Sequence, residues 1–442
     1  MSKPKTNVTR RDFVKTGAAA GAVIGFPTIV PSFAQSSPNE RINVGYVGTG
    51  SRAGSHLGAY AAGKETQGVA VCDVDANHMA RGKKTVEDRL KRAGRAASCA
   101  TYARYEELIA RKDIDAVVCT TPDHWHTKIV VEAMKQGKDI YCEKPMTLTI
   151  DEGKIICKTV KETGRVFQVG TQQRSGRQFL SAVALCRNGH MGKIKTATCS
   201  IGGGPKGGPF KKSDPPAQLD WDRWLGQAPM VDYIDKRCHY QFRWWYEYSG
   251  GKMTDWGAHH VDIAQWGIGK ETTGPHTVIP ESQVHPVPFK GGHPTIDDCY
   301  NTATNFQVRC KFEGDVDIII RNGPGNGIWF NNGDEEIFVN RGGPKDKLKK
   351  DMGKVAGDLN KLYGSNNINH HANWIECIRS RKNPISDVFS HHRHLSTCHL
   401  ANIAIRLNRT LKWDPVKEEV IGDSEANSWI RREQRKGYEI KA

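Results

Sequence analysis

The sequence has no Cys-x-x-Cys pair, no basic run interleaved with aromatics, and, beyond a short N-terminal one, no long apolar run. Each absence removes a class of function. Without paired cysteine spacing, the twelve cysteines do not read as metal ligands. Cys72, Cys119 and Cys142 close apolar runs instead, where cysteine packs as a small hydrophobe. The histidines of 370–408 lack a repeated ligand spacing, so no zinc site, and no metal of any kind, is expected. The formal net charge of +16 is spread along the chain rather than gathered in a stripe, which points to a solvated basic surface and not to a nucleic-acid partner. No run reaches the roughly 20 apolar residues that cross a bilayer, so no stable membrane anchor is expected in the mature chain.

What is present is the composition of a soluble globular protein, 38% hydrophobic and 25% charged over 442 residues. That length exceeds one ordinary core and suits two domains. Residues 1–35 read as a twin-arginine signal peptide: Arg10-Arg11 precedes Phe13 and Val14, an apolar small-residue run covers Gly17 to Val30, and Ser32-Phe33-Ala34 offers a cleavage site. A periplasmic or otherwise exported protein is expected.

From Arg41 the pattern is an alternation of strands and helices. Ile42 to Val47 is a strand that runs into Gly48-Thr49-Gly50-Ser51-Arg52-Ala53, a G-x-G-x-x-A turn opening a helix. Gly48 serves the tight turn, Gly50 the close approach of a pyrophosphate, and the helix N-terminus its charge. The next strand ends in Asp73, placed to accept the ribose hydroxyls of NAD and to repel a 2'-phosphate, so NAD is expected over NADP although Arg52 lies nearby. Ile114 to Thr120 is a buried strand leading to Thr121-Pro122-Asp123-His124-Trp125-His126, and Gly137 to Tyr141 is another, leading to Cys142-Glu143-Lys144-Pro145. This order predicts a doubly wound parallel Rossmann sheet over 36–160. Ligands of such sheets sit at the carboxyl ends of the strands, which makes Lys144 a catalytic candidate.

Gly48-Thr49-Gly50, Asp73, Thr121-Pro122 with His126, and Glu143-Lys144-Pro145 together resemble the Gfo/Idh/MocA oxidoreductase family, over nearly all of the mature chain. The resemblance implies that Lys144 lies beside both nicotinamide and sugar. It adds Ser51, Arg52, Thr121, Pro122, Asp123, His126, Glu143 and Gln172 to Gly48, Gly50 and Asp73 as cofactor contacts. Asp255-x-x-x-His259 resembles the family's acid and histidine pair, with Asp255 orienting His259 as the base; by sequence alone His260 is a rival. Asp262 stands one turn beyond.

The second domain is expected over 161–413, opening with a strand at Val166 to Arg174 whose end carries Gln172 and Arg174, candidate contacts to cofactor and substrate. Residues 275–342 alternate apolar and polar as antiparallel strands do, predicting a C-terminal α+β domain with a large sheet, one face open. The run Phe242-Arg243-Trp244-Trp245-Tyr246 offers aromatic faces for a pyranose, with Trp245 the candidate. Residues 414–442 resemble a wrapping C-terminal extension. Substrate contacts are thus expected from Lys144, Arg174, Trp245, Asp255 and His259.

The expected activity is NAD-dependent hydride transfer at a hydroxyl-bearing carbon of a sugar or glycoside. Export implies a tightly held cofactor, because no free pool of NAD awaits in the periplasm. The alternatives are a redox-neutral glycosidase or lyase that oxidises the ring transiently, and a non-catalytic sugar-binding protein with structural NAD. The family resemblance also implies a homo-oligomer.

Overall fold

The computed structural model describes residues 41–441; the predicted signal peptide lies outside them. Six strands form the first sheet: β1 (Ile42–Val47), β2 (Thr66–Cys72), β3 (Ala100–Tyr102), β4 (Ala116–Cys119), β5 (Asp139–Cys142) and β6 (Phe167–Val169). Their order is β3-β2-β1-β4-β5-β6 and every pairing is parallel. The order reverses between β1 and β4, which opens a crevice beyond their carboxyl ends. β4 and β5 are buried at every residue, as a sheet covered on both faces requires.

β6 corrects the expected domain boundary. The sequence pattern places it in the second domain, but it is the sixth strand of the first sheet, held by Ile140 N–H to Val166 O at 2.8 Å and Gly170 N–H to Cys142 O at 2.8 Å. The first layer therefore runs to about residue 170. The chain later comes back to it. The helix His370–Ser380 buries Trp374, Ile375, Cys377 and Ile378 in one cluster with Val44, Tyr46 and Tyr60. Sequence position alone placed that helix in the second domain.

The second sheet has eight strands. β7 is Thr196–Ser200 and β8 is Thr277–Val284; a short hairpin, β9 (Phe289–Lys290) and β10 (His293–Pro294), stands apart. β11 (Asn305–Phe312), β12 (Val316–Arg321), β13 (Gly327–Asn331), β14 (Glu336–Val339), β15 (Leu411–Asp414) and β16 (Glu419–Val420) complete it. The order is β14-β13-β7-β12-β11-β8-β15-β16, antiparallel except for β12 with β7. Alternation decides its faces. β11 buries Phe306, Val308, Cys310 and Phe312 and leaves Gln307, Arg309 and Lys311 half-buried. The buried face packs on the helices Arg177–Arg187, Gly257–Gly267 and Val388–Leu407. No helix among the described residues is long and apolar enough to cross a membrane.

The tail is part of the fold. Arg432 donates to Glu152 Oε1 and to His124 O, both at 2.9 Å, and Lys128 donates to Glu439 O at 3.0 Å.

Candidate active site

A cleft of about 880 Å³ opens at the carboxyl ends of β1, β2, β4 and β5 and continues to residues of the second layer, including His259 and Arg341. At its β1 end Gly48 has φ +83, and a Cβ there would lie 2.8 Å from the backbone of Thr120 and Thr121. The turn can be closed only by glycine. Gly50 is different: its Cβ would meet nothing closer than the His78 ring at 3.7 Å. Its missing side chain leaves room on the cleft side of the turn, which fits the phosphates of a dinucleotide. Ser51 and Arg52 also line the cleft. Asp73 accepts from Thr49 N–H at 2.7 Å through Oδ2, and from Asp75 N–H at 2.9 Å through Oδ1. The Thr49 contact ties the β2 end to the glycine turn, and Asp73 itself lines the cleft, as a ribose acceptor must. These residues fit NAD.

The Glu143-Lys144-Pro145 segment divides its work. Glu143 Oε1 receives Arg52 Nη2 at 2.6 Å and Gln172 Nε2 at 3.1 Å, with His56 Nε2 at 2.8 Å. Burial opposes the Glu143 charge, but His56 and Arg52 outweigh it and hold the carboxyl well below its ordinary value. Glu143 is thus an anchor for the loop that carries Lys144. Lys144 reaches across to the second layer, where its Nζ donates to Asp255 Oδ1 at 2.7 Å and to Asp255 O at 2.8 Å.

His126 does not line the cleft. Its ring bridges Pro145 O, 2.8 Å from Nδ1, and Thr121 O, 2.9 Å from Nε2, so it braces the two cofactor loops against each other from behind. Thr121 and Pro122 do line the cleft, as does Asp123. Asp123 accepts from Ser249 Oγ at 2.5 Å, and burial pushes its carboxyl up to about 6.

Asp255 and His259 are brought to one place, but not as an orienting pair. The helical run breaks at Trp256, between the turn Lys252–Asp255 and the helix Gly257–Gly267. The Asp255 carboxylate turns to Lys144, with Arg243 Nε at 3.6 Å, and among the described residues His259 Nδ1 is buried with no hydrogen-bond partner. Burial, then the charges of Lys144 and Arg341, push the His259 pKa well below its ordinary value, so the ring is neutral. His260 is turned away: its Nε2 lies 2.9 Å from Asn326 Oδ1 and its Nδ1 3.3 Å from the Gln173 amide. The Gln173 amide satisfies its neighbours when its oxygen accepts from Arg341 Nε at 3.1 Å and its nitrogen donates to the His259 carbonyl at 3.0 Å.

Two expected substrate contacts lie elsewhere. Arg174 is buried in a bidentate pair with Asp262, Nε to Oδ2 at 2.7 Å and Nη2 to Oδ1 at 2.8 Å, and His394 Nδ1 is 2.7 Å from the same carboxylate. A fully paired interior arginine has no donor facing the cleft. Trp245 is wholly buried under the Arg237 guanidinium, with Nε1 donating to Lys236 O at 2.6 Å. It belongs to an aromatic cluster with Trp221, Trp224 and Tyr248, the structural role that large aromatics more often fill.

Sequence reasoning missed Arg243, Arg341, His239 and Tyr240, which all line the cleft. Arg243 lies inside the aromatic run 242–246, whose rings are the stronger sequence signal, and Arg341 follows β14 with no motif around it. Donor atoms of Cys119, His126 and Cys142 approach within 4.8 Å of one another, and so do those of Asp75, His78 and His239. In the first group both His126 nitrogens already face backbone carbonyls, leaving none for an ion.

The family model described as "Oxidoreductase family, NAD-binding Rossmann fold" matches residues 42–171, and "Oxidoreductase family, C-terminal alpha/beta domain" matches 208–440. The chain is similar to a glycosyl hydrolase family 109 protein of Solibacter usitatus, 33% identical over 36% of this chain and 37% of that one. An alpha-N-acetylgalactosaminidase of Shewanella oneidensis is 28% identical over 42% and 44%. The aligned stretch spans less than half the length of these curated relatives. Among solved structures, the WlbA dehydrogenase of Bordetella pertussis, in complex with NADH and UDP-GlcNAcA, superposes with TM-score 0.57 at 18% identity, covering 84% of this chain and 97% of that one. The aldose-aldose oxidoreductase of Caulobacter crescentus gives 0.54 at 17%, over 84% and 100%. With both of its layers matched and the glycine turn, Asp73 and Lys144 gathered at one cleft, this chain belongs to the Gfo/Idh/MocA oxidoreductase family and carries its NAD-binding Rossmann domain.

Proposed function

We propose that the protein moves a hydride between a hydroxyl-bearing carbon of a sugar or glycoside and a tightly held NAD. The observation that carries this is the Lys144–Asp255 clamp standing beside a neutral His259 in the NAD cleft. NAD bound along Gly48, Gly50 and Asp73 supplies the hydride acceptor. The chain's own groups do the rest. Lys144 has three N–H donors and spends two on Asp255, leaving one for the substrate hydroxyl oxygen. Its charge stabilises the alkoxide as the proton leaves. His259, neutral and in the cleft, takes that proton on a ring nitrogen. Asp255 positions Lys144 rather than His259.

The Arg10-Arg11 pair followed by the apolar small-residue run Gly17 to Val30 supports export by the twin-arginine route, and with it a cofactor loaded before export and kept through turnover. Assembly as a homo-oligomer, through the half-buried face of the second sheet, is part of the same proposal. The names of the glycosyl hydrolase relatives favour a second reading, in which the ring is oxidised, the aglycone eliminated and the ring reduced again. Both readings share the first hydride step. The test is to offer purified protein a panel of free sugars and glycosides with no added cofactor, following reduced-nicotinamide absorbance and aglycone release. A rise that stops at one equivalent supports net oxidation with retained NAD. Aglycone release over many turnovers, with ring deuterium taken up from heavy water, supports the redox-neutral cycle. Neither signal, with NAD released on denaturation, leaves the binding-protein alternative.

A further inference from the structure

The substrate end of the cleft holds more positive charge than the hydride step uses. Arg52, Lys144, Arg243 and Arg341 all line it. Arg52 is taken up by Glu143 at 2.6 Å. Lys144 and Arg243 share one carboxylate, Asp255, at 2.7 Å and 3.6 Å. Arg243 Nη1 donates to the Tyr240 carbonyl at 3.0 Å. Arg341 has no carboxylate partner among the described residues: its Nε is held by the Gln173 oxygen at 3.1 Å and its guanidinium lies 4.7 Å from the Trp256 ring centre. That leaves its two terminal nitrogens for the cleft. The nearby acid Asp123, pushed up to about 6 by burial and accepting from Ser249, is still mainly ionised near pH 7 and offsets one of these charges. The bound cofactor does not close the remaining gap. Its pyrophosphate belongs at the Gly48–Gly50 turn, and an oxidised nicotinamide brings a further positive charge to this end.

An uncharged sugar would leave three cations facing two carboxylates, Asp255 and Asp123, beside the positive nicotinamide in a confined space, a repulsion that grows as water is displaced. We infer that the substrate carries an anionic group, a carboxylate or a sulfate or phosphate ester, received by Arg341 and Arg243 while Lys144 and His259 hold the reacting hydroxyl. Guanidinium forks match paired anionic oxygens, and Gln173 and Trp256 fix the plane of Arg341 before the ligand arrives. This assignment rests on the proposed sugar chemistry and adds the charge of the sugar to it.

The experiment is a calorimetric titration of the NAD-loaded protein with matched ligands. Each of glucose, galactose and N-acetylgalactosamine is offered as its uncharged methyl glycoside and with a carboxylate, sulfate or phosphate at C6. The anionic member of at least one set should bind at least about tenfold more tightly than its uncharged partner, the scale of a charged hydrogen bond, and the preference should shrink as salt rises. Which of the three groups wins names the source of the charge. Arg341→Gln should bring the ratio of uncharged to anionic Kd close to one, and Arg341→Lys should restore part of it. Equal affinity within every set, or an unchanged ratio in Arg341→Gln, overturns the charge assignment and leaves the hydride proposal standing. No binding of any sugar overturns both.

Discussion

Lys144 and Asp255, 111 residues apart in the chain, are joined twice: the ammonium of one is 2.7 Å from the carboxylate of the other and 2.8 Å from its backbone carbonyl. The pair fixes the first layer against the second at the point where cofactor and substrate meet. Replacing Lys144 with Met should therefore do two things. Turnover should fall by at least about 1000-fold, the scale of losing a charge aimed at a developing oxyanion. Stability should fall by about 2–3 kcal/mol, because Asp255 is left buried with only Arg243 nearby. Single-turnover absorbance and denaturant melts read the two separately, and bound NAD should be retained.

The two glycines of the turn should fail differently. Gly48→Ala meets backbone at 2.8 Å in a left-handed conformation, so poor folding is expected. Gly50→Ala has space in the protein but intrudes where the pyrophosphate lies. It should keep a near-native Tm without cofactor and lose NAD, measured as nucleotide released on denaturation. A Gly50→Ala protein that purifies with a full complement of NAD would remove this turn from the cofactor site.

Asp73 should set the choice between NAD and NADP. In Asp73→Ser the acceptor of the Thr49 bonds and the negative charge both go, so NAD should dissociate at least about tenfold faster and NADP should gain relative to it. Competition between the two cofactors during refolding checks this.

Several histidines should make the fold acid-sensitive. Burial lowers His124, His370 and His399 to about 3 and His260 to about 4. Each is neutral when folded, while the unfolded chain binds its proton below about pH 6.5. The unfolded state then holds more protons, so stability is fully present above about pH 6.5 and is lost as pH falls towards 4. Each histidine contributes about 1.4 kcal/mol per pH unit once the unfolded form is charged. Tm should drop steeply between pH 6 and 4.5; a flat profile would mean these rings take up protons without unfolding. His259 is held neutral in the same way, so the kcat/KM profile should show no His259 protonation limb near pH 6.5.

The tail should matter for folding rather than chemistry. Arg432 is the partner of the buried Glu152 at 2.9 Å. Arg432→Ala should cost about 2 kcal/mol in a denaturant melt and leave the bound NAD content unchanged.

The sequence by itself determined whatever is local or periodic. A glycine turn between a strand and a helix, an acid at the next strand end, and the regular return of buried strands specify the parallel sheet, because φ, burial period and strand-end position are properties of short segments. The alternation in 302–341 likewise specified antiparallel strands with one buried face. Only the tertiary structure decided which polar groups meet. Arg174 and Asp255 both read as site residues, yet Arg174 is consumed by Asp262 in the interior and Asp255 by Lys144 across the two layers, since a buried charge takes the partner that packing brings within reach. The same packing moved β6 into the first sheet, turned Trp245 inward, and carried Arg341 from the end of β14 to the cleft. No spacing along the chain encodes those meetings, because they depend on how separate elements are set against one another.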